Sequence, residues 1–161
     1  MTIENSDAVI RIQMQKRIFA ILIALPIALF YATNLGDYLH GLIGVSRQIL
    51  SFILLGLYLS FYIYHIIVKS SYLYYSDENS RVIIRFYLLN PFNSKKNSYE
   101  IPKKQFVKFR VKKSLYNLRE EVFVYQNISG TVAQYPPFSL SSLTNSQKQK
   151  LIKSLALNSQ Q

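Results

Sequence analysis

Two stretches of uncharged, mostly apolar residues dominate the first half of the chain: IFAILIALPIALFYATN over 18–34 and ILSFILLGLYLSFYIYHIIV over 49–68. As a helix, the second spans about 30 Å, the thickness of a bilayer's hydrocarbon core. The first is shorter, but Met14 and the aliphatic stems of Lys16 and Arg17 extend it. Between Ile18 and Val68 the only charges are Asp37 and Arg47. The 93 residues after Val68 are too few to bury two helices this apolar inside a soluble domain. A cleaved secretory signal fits poorly, because Phe30 occupies the −3 position of the one small-residue cleavage site, after Ala32. The expected organisation is an N-terminal segment over 1–17, an uncleaved two-helix hairpin over 18–69 and a separate domain over 70–161.

The flanking charges give the hairpin a direction. Arg11, Lys16 and Arg17 precede the first span and Lys69 follows the second, whereas the loop over 35–48 carries only Arg47 and Asp37. The excess of Lys and Arg on cytoplasmic flanks predicts a multi-pass protein of the inner membrane with both termini in the cytoplasm. Tyr31 and Tyr38 on one side, and Tyr62, Tyr64 and Tyr72 on the other, suit interfacial belts. Ala20, Ala24, Ala28 and Ala32 form a smooth ridge at four-residue spacing, and Gly56 and Ser60 a shorter small-residue patch. Such faces let helices approach closely. They could form the seam of the hairpin itself, or dock a second copy or a larger membrane complex. Neither span contains an Asp, Glu, Lys or Arg, so an ion path through this chain alone has nothing to work with.

After Lys69 the apolar period changes to two. Alternation predicts strands at Ser71 to Tyr75, Arg81 to Leu88, Ser98 to Ile101, roughly 104–113, from Glu120 through Gln126, and Thr131 to Tyr135. Turns fall at Ser76 to Ser80, Asn90 to Ser94, Leu115 to Leu118 and Asn127 to Gly130. Thr144-Asn145-Ser146-Gln147 has capping-box spacing. It opens a helix with Leu151, Ile152 and Leu155 on one face and Lys148, Lys150 and Lys153 opposite. Six or seven antiparallel strands closed by one C-terminal helix give an all-β or α+β barrel or sandwich.

Two N-terminal spans, the run YEIPKKQFVKFRVKKS, the return EEVFVYQ and the closing YPPFSLSSLTNSQKQKLIKSL resemble the bacterial PH-domain proteins. The resemblance implies a PH-like barrel on a membrane hairpin, acting as a binding or assembly module. It does not extend to inositol phosphates. PH domains that bind them place basic residues around the first strand-to-strand loop, and that loop here is Ser76-Asp77-Glu78-Asn79-Ser80.

In the strand over 104–113, Val107, Phe109 and Val111 point one way and Lys104, Lys108, Arg110 and Lys112 the other. From Lys69 onward there are fifteen Lys or Arg against five Asp or Glu. A domain tethered beneath an anionic leaflet gains about 1 kcal/mol per nearby cation. The stripe is therefore expected either to meet anionic lipid or to take an acidic protein partner. It could also be a solvated edge, partly neutralised by Glu120 and Glu121 across the hairpin. Phe106, Phe109, Phe123 and Tyr125 interleave with these cations as a single-strand nucleic-acid platform would. Against that reading, Phe109 belongs to the apolar set, and the positive-inside bias already accounts for the net charge of +11.

Reaction chemistry has no visible basis. With no Cys there is no thiol nucleophile or thiolate metal site, and no paired His and Glu, Gly-rich phosphate loop or nucleophile elbow occurs. A non-enzymatic module with no cofactor is expected: an adaptor or scaffold at the membrane, or alternatively an accessory subunit of a membrane complex.

Overall fold

The computed structural model describes residues 1–90, 95–116 and 118–159. It divides into two units, one comprising residues 10–65 and the other residues 1–9 with 66–161. The turn expected at 90–94 lies almost wholly outside the described residues.

The first unit is helical. α1 (Ser6–Ala32) is continuous through Pro26, and α3 (Arg47–Ile67) covers the second apolar stretch. Both are long and apolar enough to cross a membrane. The intervening loop is not irregular throughout: it contains the helix α2 (Leu35–Ile43). Gly44, at φ 74°, ends α2 in the left-handed conformation that glycine adopts without steric cost, and its N–H donates to the His40 carbonyl at 2.8 Å. Gly36 is needed for space, since a Cβ there would lie 2.9 Å from the Phe30 carbonyl oxygen and 3.1 Å from Arg47 Cβ. The helices meet through aromatic rings. Phe19 packs on Phe61 at 4.7 Å and stacks on Tyr58 at 6.4 Å.

The second unit is built from antiparallel sheets. β1 (Thr2–Glu4), β2 (Ser71–Ser76), β3 (Arg81–Leu88) and β4 (Asn97–Pro102) pair in that order. In the second sheet, β5 (Phe106–Ser114) pairs with β6 (Arg119–Ile128). On the other edge of β6 lie β7 (Thr131–Gln134) and the short β8 (Phe138–Ser139). The period-two pattern explains the packing. Val82, Ile84 and Phe86 from β3 and Val122 and Val124 from β6 are buried, and they share one core with Leu73, Tyr75, Ile101 and Phe138. The helix α4 (Asn145–Asn158) adds Leu151 and Leu155 to that core. Its capping box is formed as expected, between Thr144 and Gln147.

Several features differ from the expectation. Eight strands are present among the described residues, not six or seven. The buried stripe of α4 runs Leu151, Ser154, Leu155 and Asn158, with Ile152 at its margin, because Ser154 and Asn158 have polar partners inside. The Tyr75 hydroxyl meets Ser154 Oγ at 2.6 Å, and Ser154 also bonds to the Asp77 carboxylate. Lys148 is not on the solvent side of α4 but bonds to Glu120 at 2.7 Å.

The largest difference is the strand at the N-terminus. β1 pairs Thr2 with Ser76, Ile3 with Tyr75 and Glu4 with Tyr74. Ile3 is buried in the common core. Asn5 then extends the pairing with its side chain, donating to the Ser71 carbonyl at 3.0 Å and accepting from the Leu73 N–H at 2.8 Å. A run of three strand residues followed directly by a helix has no legible period, so the sequence alone does not disclose it.

Candidate functional site

The exposed face of the second sheet is where charge and aromatic surface coincide. Along β5, Val107, Phe109 and Val111 are half-buried and Lys108, Arg110 and Lys112 are exposed, as alternation requires. Lys104 is exposed too, but lies in a 3-10 turn over Lys103–Gln105 before the strand begins. A register shift between Phe106 and Lys108 buries Phe106 while exposing Lys108 two residues on. In register, Lys108 faces Tyr125, Arg110 faces Phe123 and Lys112 faces Glu121. The Lys108 ammonium stands 5.1 Å from the Tyr125 ring centroid, within cation–π range. Arg110, Lys112, Phe123, Tyr125 and Gln134 of β7 line a shallow depression of about 230 Å³. Of the four aromatics interleaved with the cations, Phe106 and Phe109 serve the core, and Phe123 and Tyr125 serve this face.

The carboxylates expected to neutralise the stripe are engaged elsewhere. Glu121 is buried and accepts from Lys69 Nζ at 2.9 Å and from Arg119 Nη2 at 2.9 Å. Glu120 binds Lys148 at 2.7 Å and Lys113 at 3.2 Å. Burial pushes the Glu121 carboxyl upward, but the bonds from Arg119 and Lys69 outweigh it and hold the group below the usual range. Glu120 is likewise held low, chiefly by the Lys148 bond. Among the described residues, Lys104, Lys108, Arg110 and Lys112 form no ion pair. Lys69 and Lys148, far from Glu120 and Glu121 in sequence, are the partners that the sequence reading missed.

A second aromatic face lies on the outer side of the first sheet. Tyr72 and Tyr87 stack at 4.9 Å, Arg85 lies 5.8 Å from the Tyr74 ring and Lys96 lies 6.0 Å from the Tyr87 ring. Here the cations sit over aromatic rings and the Tyr72 hydroxyl donates to Glu4 at 3.1 Å, so the face is largely satisfied internally. Among the described residues, no three His, Cys, Asp or Glu side chains gather as a metal site would require.

The small residues of the helical unit do not form its seam. Phe19 faces α3, and Ile23 and Phe30 are buried, whereas Ala24, Ala28 and Ala32 are exposed and Ala20 is half-buried. Gly56 and Ser60 on α3 are also exposed, and a Cβ at Gly56 would meet nothing within 4 Å.

No family model, curated protein or solved structure matches the chain.

Proposed function

We propose that the protein is a membrane-anchored binding module, with the helices α1 and α3 crossing the bilayer and the sheet unit presenting the basic, aromatic face of β5–β7 to an anionic surface. The observation that carries this reading is that, among the described residues, Lys108, Arg110 and Lys112 have no acidic ion-pair partner, beside half-buried Phe123 and Tyr125. Three cations near an anionic leaflet contribute about 3 kcal/mol together, enough to hold a tethered domain to it. Bilayer crossing is supported by the bareness of the helices: 11% and 0% of their most apolar windows are buried, whereas a core helix of a soluble protein is mostly covered. Two successive antiparallel sheets plugged by one C-terminal helix support the PH-like reading. The pairing of β1 with β2 supports two ends on one side, since residues 1–5 and 71–76 share a sheet and the chain between them must leave and return to the same place. With the positive-inside bias, that side is the cytoplasmic face of the inner membrane.

The chain has no Cys, so Gln134→Cys carries a single polarity-sensitive fluorophore on the face. In nanodiscs, its emission should shift only when anionic lipid is present, return with added salt, and show no shift after Lys108→Gln, Arg110→Gln and Lys112→Gln together. Emission indifferent to lipid charge refutes the lipid surface and leaves an acidic protein as the partner to seek. A second reading, an accessory subunit docked through its helices, is favoured by the exposure of Ala24, Ala28 and Gly56 outside the hairpin seam. Ala24→Leu with Ala28→Leu should then abolish cross-linking to neighbours in native membranes while leaving the hairpin folded.

A further inference from the structure

We infer that the β5–β6 turn is a membrane-inserting tip, with Leu115, Tyr116 and Leu118 entering the interfacial layer of an anionic bilayer. The inference rests on the membrane-anchored reading and adds where the basic face reaches the apolar layer: at its α3 end, through this turn.

Tyr116 is 102% exposed and Leu115 and Leu118 are 48% and 50% exposed, so three large side chains of mostly apolar surface stand in solvent between β5 and β6. The backbone holds them there against its own preference. Leu115 and Tyr116 both sit at φ 53°, where side chains with a Cβ are crowded and where tight hairpins ordinarily place Asn and Gly. The Leu118 N–H closes the turn on the Leu115 carbonyl at 3.0 Å. A turn selected only for solubility and ease of formation has no use for Leu and Tyr at these positions.

The surroundings are cationic. Lys69, Lys113, Arg119 and Lys148 pair with two carboxylates, Glu120 and Glu121, and Lys112 stands in register beside them without an ion pair, leaving three positive charges in excess at this end. An apolar tip ringed by cations is complementary to a bilayer surface, which offers anionic headgroups above an apolar layer. The location agrees with the chain path. Lys69 follows the last residue of α3 by two positions, and it bonds to the same Glu121 oxygen as Arg119, which immediately follows the turn. The tip therefore lies at the end of the sheet unit where the chain enters from α3. The opposite end of β6, about 30 Å away, also exposes two apolar residues, Ile128 and Val132. Their sequence neighbours Asn127, Ser129, Gly130 and Thr131 are all uncharged. Of the two ends of β6, charge and apolar exposure coincide at the α3 end.

The chain has no Trp, so Tyr116→Trp places a single reporter on the tip, and Val132→Trp places one on the far turn as a control. Both positions are exposed, which keeps folding out of the result. The full-length protein is reconstituted in vesicles of phosphatidylcholine and phosphatidylglycerol, with and without brominated acyl chains. Emission from the Tyr116→Trp variant should be mostly lost to the brominated lipid and shielded from aqueous acrylamide, while the Val132→Trp reporter, held no deeper than the headgroups, keeps its emission in brominated lipid. Acrylamide access without lipid quenching, in protein that resists alkaline extraction, overturns the tip and leaves the anchor standing. Shielding from both quenchers assigns the tip to a protein contact and also overturns it. Release of the protein by alkaline extraction overturns the anchor and the tip together.

Discussion

Replacing Asn5 with Ala tests whether the N-terminal strand belongs to the sheet unit. Asn5 is 2% exposed, and its side chain makes two buried bonds to β2, to the Ser71 carbonyl at 3.0 Å and from the Leu73 N–H at 2.8 Å. Alanine removes both and supplies no substitute, so the Leu73 amide is left buried without an acceptor. Two lost bonds cost about 1 kcal/mol each, and an orphaned buried donor adds about 1–2 kcal/mol, for an expected loss of about 3–4 kcal/mol. In a unit of about one hundred residues this lowers the melting temperature by roughly 10–20 °C. The assay is urea unfolding of the full-length protein in detergent micelles, followed by the near-ultraviolet circular dichroism of its tyrosines, many of which lie in the sheet unit. Gln149→Ala, on the exposed side of α4, serves as the control and should stay within about 0.5 kcal/mol of the parent. An Asn5→Ala variant that also stays within that margin refutes the argument, because β1 would then add nothing to the fold.

Two further outcomes follow from the buried polar groups. Burial, opposed in part by the Ser154 bond, pushes the Tyr75 phenol up to about 12. The proton is held more tightly in the folded state, so this stability is complete below pH 10 and lost between about pH 10 and 12, amounting to about 3 kcal/mol that Tyr75→Phe removes from the alkaline limb. Glu121→Gln leaves Lys69 and Arg119 without their shared carboxylate and should cost about 1–3 kcal/mol at neutral pH, between surface and buried ion pairs. Because the Glu121 and Asp77 carboxyls are held below their usual range, the stability they add is complete above that range and lost as pH falls below about 4. The Glu121→Gln penalty should therefore shrink in acid, as urea midpoints on the two sides of that pH would record.

Much of the architecture was legible because hydrophobic period reports it directly. The bounds of β3 match the alternation from Arg81 to Leu88, and Thr144 and Gln147 announced the start of α4 three residues apart. What escaped depends on contacts between distant positions. β1 is three residues long and stable only because β2, some seventy residues later, offers an edge. The exposure of Lys108, Arg110 and Lys112 could be read from alternation. Their lack of acidic partners could not, because it depends on Lys69 and Lys148 reaching Glu121 and Glu120 first. The register shift that takes Phe106 into the core also leaves no local signature, since one extra residue in a strand looks like any other.

The central claim is that residues 10–65 cross a membrane as a hairpin and leave both ends of the chain, with the sheet unit, on its cytoplasmic side. The most direct test is labelling of single cysteines in a chain that otherwise has none, with a thiol reagent that cannot pass the membrane. Tyr38→Cys should react in intact cells, while Thr2→Cys and Lys112→Cys should react only after the membrane is permeabilised. Labelling of Lys112→Cys from outside, or identical behaviour of all three positions, would contradict it.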